Sequence, residues 1–112
     1  MADAAYEQLT VEHFDEGDRR VVVLAGELDV ATADIAEQAL EHGLDVLDLS
    51  RLEFMDSAGV RILLGICRER QDPLVVRGVT RPVRRILELT GVCNMLVFED
   101  SATDRLGSSR RR

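Results

Sequence analysis

Lysine and tryptophan are absent from this chain, and cysteine, histidine and proline occur only twice each. Each scarcity removes a class of function. Without lysine there is no Gly-x-x-x-x-Gly-Lys-Ser/Thr loop, and so no nucleoside-triphosphatase grip on a phosphate chain. With four aromatic residues in all, Tyr6, Phe14, Phe54 and Phe98, there is no platform on which bases could stack. The formal charge is −7, and because the terminal Arg110-Arg111-Arg112 contributes +3, the rest of the chain carries −10. A binder of the phosphate backbone needs a clustered basic face, so nucleic acid is not expected as a direct partner. Cys67 and Cys93 sit in apolar surroundings without Cys or His neighbours at metal-ligand spacing, and read as reduced core residues; no metal is expected. The two histidines, His13 and His42, fall on an expected edge strand and at an expected helix end, where neither is placed to act as a catalytic base.

Long apolar runs are also missing. The longest is a few residues, against the ~20 that span a bilayer, so no membrane association is expected. The start, Met1-Ala2-Asp3-Ala4-Ala5-Tyr6-Glu7, lacks the basic and apolar stretches of a secretory signal, and a cytoplasmic address is expected. At 112 residues the chain reads as a single domain, 1–112, with its core over about 8–106 and a flexible tail at 107–112.

What is present is an alternation of strand and helix patterns. Gln8 to Phe14 alternates, with Leu9, Val11 and His13 on one face. The polar Asp15-Glu16-Gly17-Asp18-Arg19 then predicts a hairpin turn. Arg20 to Leu28 is continuously apolar through Val21-Val22-Val23-Leu24-Ala25, the signature of a strand covered on both faces. A first helix is predicted over 32–42, with Ile35, Ala36, Ala39 and Leu40 as its stripe, Asp29 or Thr32 as its cap, and Gly43 ending it. Leu44 to Leu49 predicts the third strand. The second helix runs from about Ala58 to Glu69, with Val60, Leu63, Leu64 and Cys67 recurring at helical spacing. Leu74 to Arg77 is a fourth strand. A third helix follows with Pro82 in its first turn, Val83, Ile86, Leu87 and Thr90 on one face and Gly91 just past its end. Met95 to Phe98 is a fifth strand, and a short helix is predicted to start at Ser101. The order β-β-α-β-α-β-α-β is an α/β pattern: a mixed, mostly parallel sheet with an antiparallel N-terminal edge strand.

The chemistry concentrates at Phe54-Met55-Asp56-Ser57-Ala58-Gly59, a polar break at a strand-to-helix junction. Ser57 is a candidate N-cap, its hydroxyl accepting from a backbone N–H two or three residues on. It is not framed as Gly-x-Ser-x-Gly, and no base accompanies it, so the chain is not expected to be an enzyme. A helix N-terminus tolerates a phosphate, which makes the Ser57 hydroxyl an acceptable phosphorylation site. Arg61, one turn on, could pair with that phosphate, while Asp56 would repel it. Ser50 and Thr32 read instead as a strand-end polar residue and a helix cap.

Three motifs in order carry a resemblance: Gly26-Glu27-Leu28-Asp29 after an apolar strand; Leu47-Asp48-Leu49-Ser50 leading to Phe54-Met55-Asp56-Ser57-Ala58-Gly59; and Arg81-Pro82-Val83-Arg84-Arg85-Ile86-Leu87-Glu88-Leu89-Thr90-Gly91. Over about Leu9 to Phe98 the chain resembles the STAS-domain anti-sigma factor antagonists of bacteria. The resemblance implies the STAS fold and a partner switch. The unphosphorylated antagonist binds an anti-sigma factor that is also a serine kinase and frees the sigma factor; phosphorylation of Ser57 breaks the contact, and a phosphatase restores it. It further implies a partner-binding surface of Glu27, Leu28, Asp29, Asp56, Ser57, Ala58, Gly59 and Arg61. No cofactor would belong to this chain, ATP and magnesium being the kinase's. Two other readings compete. One is a STAS component of a sensory partner-switching complex that does not act directly on a sigma factor. The other is a small-ligand or nucleotide site at the carboxyl ends of the parallel strands.

Overall fold

The computed structural model describes residues 8–99; the helix expected from Ser101 and the tail at 107–112 lie outside the described residues. Strand β1 (Leu9–Glu16) turns through Gly17-Asp18 into β2 (Arg19–Leu28). Only Gly17, at φ +64°, takes a positive φ there, the requirement at the first central position of a II′ turn. Helix α1 (Ala33–Leu40) leads to β3 (Val46–Met55), helix α2 (Ser57–Arg68), β4 (Leu74–Arg77), helix α3 (Arg81–Thr90), a 3-10 turn over Val92–Met95 and β5 (Leu96–Glu99). The strands lie in the order β1-β2-β3-β4-β5, with β1 antiparallel to β2 and every other pair parallel. The mixed α/β sheet is therefore as expected.

The unbroken apolar run of β2 serves both faces of the sheet. Val22 and Leu24 join Leu47, Leu49, Leu74 and Val76 under the three helices, which contribute Ala36, Leu40, Ile62, Leu63, Val83 and Leu87 to one cluster. Val21 and Val23 turn to the opposite face, where they meet Val46 and Val75. That face also carries Glu16, Arg19, Arg77 and Glu99. The Arg77 guanidinium, with its side chain only 10% exposed, bonds both Glu16 (2.6 Å) and Glu99 (3.3 Å), and Arg19 bonds Glu99 at 3.1 Å. These charges tie the first strand to the last across the valine patch.

Several boundaries differ from expectation. Strand β3 runs to Met55 rather than stopping at Leu49, because it slips twice against β2, between Val23 and Ala25 and between Gly26 and Glu27. Each slip inserts an extra residue in β3, so Leu49, Leu52 and Met55 are buried at a spacing of three while Ser50, Arg51, Glu53 and Phe54 face outward. Ser50 thus lies within the strand rather than at its end. Its amide and hydroxyl donate to Asp48 Oδ1 at 2.9 and 2.7 Å. Helix α1 is shorter than predicted, and Ile35 points to solvent, leaving Ala36 and Leu40 as its buried contacts. Helix α3 begins with Pro82 in its first turn and ends at Gly91, whose φ of +82° is the left-handed C-cap that glycine favours.

Candidate partner-docking site

The carboxyl ends of β2 and β3 meet as neighbours: Leu28 pairs with Met55, and the Asp56 amide donates to the Leu28 carbonyl at 3.1 Å. The loop after β2 and the junction before α2 consequently form one surface. Asp56, in extended conformation, is the N-cap of α2, and its Oδ1 accepts from the Ala58 amide at 2.8 Å. The expectation that Ser57 caps the helix is corrected here. A carboxylate satisfies the free N–H and opposes the positive helix end better than a hydroxyl does, and the adjacent aspartate takes the role. Ser57 becomes the first helical residue, and its side chain is exposed.

The facing loop is locked from inside. Thr32 is 2% exposed; its Oγ1 donates to the Glu27 carbonyl (2.9 Å) and accepts from the Asp29 amide (3.0 Å). Asp29 Oδ1 in turn accepts from the amides of Ala31 (3.0 Å) and Thr32 (3.2 Å). Thr32 occupies the N-cap position of α1 without making the capping bond foreseen for it, its hydroxyl being committed to the loop. Gly26 begins this turn at φ +110°, where a Cβ would collide with the Gln8 carbonyl oxygen, and the Glu27 amide donates to that same oxygen at 2.8 Å. At Gly59 an added Cβ would lie 2.6 Å from Met55 Cγ and 3.0 Å from Leu28, so the missing side chain lets α2 start directly against both strand ends.

Residues 13–97 match the family described as Mlab, STAS domain. The chain belongs to the STAS domain family. It is 29% identical over 96 residues to an anti-sigma F factor antagonist of Paenibacillus polymyxa, covering 77% of this chain and 82% of that one. Among solved structures, an anti-sigma factor antagonist from Mycobacterium paratuberculosis superposes with a TM-score of 0.72 at 28% identity, covering 91% of this chain and 94% of the other. The anti-sigma factor antagonist SpoIIAA in its unphosphorylated form gives 0.67 at 20% identity, with 91% and 96% covered, a likeness of fold.

Within this STAS domain the eight residues singled out from the sequence separate by exposure. Glu27, Asp29 and Asp56 are half-buried, and Ser57 and Arg61 are exposed. Leu28, fully buried, and Ala58, 3% exposed, belong to the core, and Gly59 is buried with them; these three shape the surface from beneath. Arg61 lies four residues beyond Ser57 on α2 and has no ion-pair partner among the described residues. Sequence reasoning missed two neighbours. Val30, 77% exposed beside Asp29, and Phe54, 48% exposed two residues before Asp56, place apolar area next to the polar groups. Both look like core residues in the sequence, and only the β3 bulge and the loop turn them outward. Among the described residues, no cluster of His, Cys, Asp and Glu could hold a metal, and no helix is long and apolar enough to cross a membrane.

Proposed function

We propose that this chain is an anti-sigma factor antagonist that docks on an anti-sigma factor through the surface around Ser57, and that phosphorylation of Ser57 by that partner, a serine kinase, ends the docking. The exposed Ser57 hydroxyl, freed from capping duty by Asp56, carries the reading. The names of the relatives support the class of partner. The chain itself performs no catalysis in this scheme: ATP and magnesium act in the kinase, and a phosphatase resets the serine. Thr32 is a poor competing acceptor because its hydroxyl is buried and bonded on both sides.

The energetics suit a switch without refolding. A phosphoserine brings about −1.5 to −2 charges. At the first turn of α2 the helix dipole accommodates them, so the free domain keeps its fold. Inside an interface beside Asp29 and Asp56, with Val30 and Phe54 excluding water, the same charge meets two carboxylates against the single cation Arg61 and is left largely uncompensated. Moving a partner from 99:1 bound to 1:99 takes about 5.5 kcal/mol, within the range of one uncompensated buried charge.

Incubation with the anti-sigma factor kinase and ATP, followed by mass spectrometry, should place a single phosphate on Ser57; phosphate on Ser50 or Thr32 would refute the site. Ser57→Ala should bind the kinase whether or not ATP is present. Ser57→Asp should bind at least about tenfold more weakly, a loss of about 1.4 kcal/mol. Equal binding by the two variants ends the proposal.

A further inference from the structure

We propose that the groove between α1 and α2 receives a basic amphipathic helix of the same anti-sigma factor, an inference that rests on the function proposed above and assigns it a second contact. The groove encloses about 530 Å³ and has an apolar floor that includes Leu40, Leu44, Ile62 and Ile66. Three features select its occupant.

The first is charge. Asp34, Glu37, Glu41 and Glu69 stand along the groove, and none of the four is in an ion pair among the described residues. Among the described lining residues only two are cations, Arg61 and Arg70, and Arg70 is already directed onto the Leu44 carbonyl at 2.7 Å. Four like charges along one apolar trough repel one another, and a cationic side chain on either flank of an inserted apolar stripe relieves them.

The second is Gly65. It sits in the interior of α2, where glycine is less favourable than alanine, and among the described residues nothing beyond its own turn of helix lies within 4 Å of where its Cβ would be. The glycine at Gly59 is explained by Leu28 and Met55; the one at Gly65 is explained by no neighbour among the described residues. It leaves a notch of bare backbone in the groove wall, which allows another helix to approach closely. The third is continuity. Arg61 lines the groove and follows Ser57 by one turn of α2, so the trough opens from the phosphorylation surface rather than from a separate part of the molecule. A helix seated between two helices, with apolar anchors at i, i+3 and i+4 and basic residues flanking them, fits these constraints.

The test measures the affinity of the anti-sigma factor for the wild-type chain and for Gly65→Gln, Glu37→Arg and Ser57→Asp, alongside the melting temperature of each. Gly65→Gln improves helix propensity while filling the notch, so its melting temperature should hold or rise as its affinity falls at least tenfold. Glu37→Arg should lose affinity to a similar extent without loss of stability. Unchanged affinity in both groove variants overturns the inference; if Ser57→Asp still abolishes binding in that experiment, the antagonist function stands without the groove. If the wild type does not bind the anti-sigma factor, the function and the groove contact fall together. A self-associated form of this chain that Gly65→Gln dissociates, seen by sedimentation, would assign the groove to a second copy and overturn the inference as well.

Discussion

At the scale of single residues, the division of labour between Asp56 and Ser57 decides what the surface can do. Two adjacent side chains are both good caps, and the sequence offers no means of telling which backbone takes the extended conformation. Asp56 takes it, at φ −116° and ψ −165°, and its carboxylate holds the Ala58 amide at 2.8 Å. Replacing it should therefore cost stability while leaving the Ser57 hydroxyl in place. Asp56→Ala is expected to lower the unfolding free energy by about 0.5–2 kcal/mol, whereas Asp56→Asn should keep most of it, as read from urea denaturation. Leu28, Ala58 and Gly59 entered the expected contact surface through the family resemblance. They lie within the motifs but are buried, holding the exposed ones in place.

At the scale of elements, β2, β4 and α3 were legible because one rule governed each. The aliphatic run of β2, the short Leu74–Arg77 and the Pro82-to-Gly91 span are found as expected, to within a residue or so at their ends. Strand β3 was only half legible. Its two slips against β2 convert the period from two to three beyond Asp48, and outward-facing Ser50, Arg51 and Glu53 then resemble a loop. The 3-10 turn over Val92–Met95 was hidden for a related reason, being too short to establish a period of its own. The end of β2 beside these bulges depends on Gly26, which combines a φ of +110° with the nearby Gln8 carbonyl. Gly26→Ala adds both backbone strain and a collision with main chain that cannot swing aside. It should destabilise the domain by at least about 2 kcal/mol and displace the Glu27–Asp29 loop, visible as a lowered melting temperature together with weakened partner binding.

At the scale of the molecule, the ion pairs across the valine face were beyond sequence reasoning, since Glu16 and Arg77 are separated by 61 positions. They also set an acid limit. Bonds from Arg77 first and Arg19 second hold the Glu16 carboxyl down from the usual 4.5 to about 2. A carboxyl whose folded pKa lies below its unfolded one stabilises the fold fully above the unfolded value. That contribution fades as pH falls from about 4.5 through about 2. Glu16→Gln should therefore flatten the decline of melting temperature across this window, with a modest amplitude because the Glu16 side chain is 43% exposed.

The order of the strands has a consequence for how the chain comes off the ribosome. Each strand pairs with the one synthesised just before it, so the sheet can be laid down in the direction of translation without waiting for a distant partner. The proposed docking surface needs only residues up to the end of α2, and its parts exist before β4 and β5 have emerged. The bonds from Glu99 to Arg19 and Arg77 can form only when the fifth strand arrives. Within the described domain the proposed docking surface is thus made before the second half of the sheet, and the clasp that joins β1 to β5 closes only when the last of the five strands is in place.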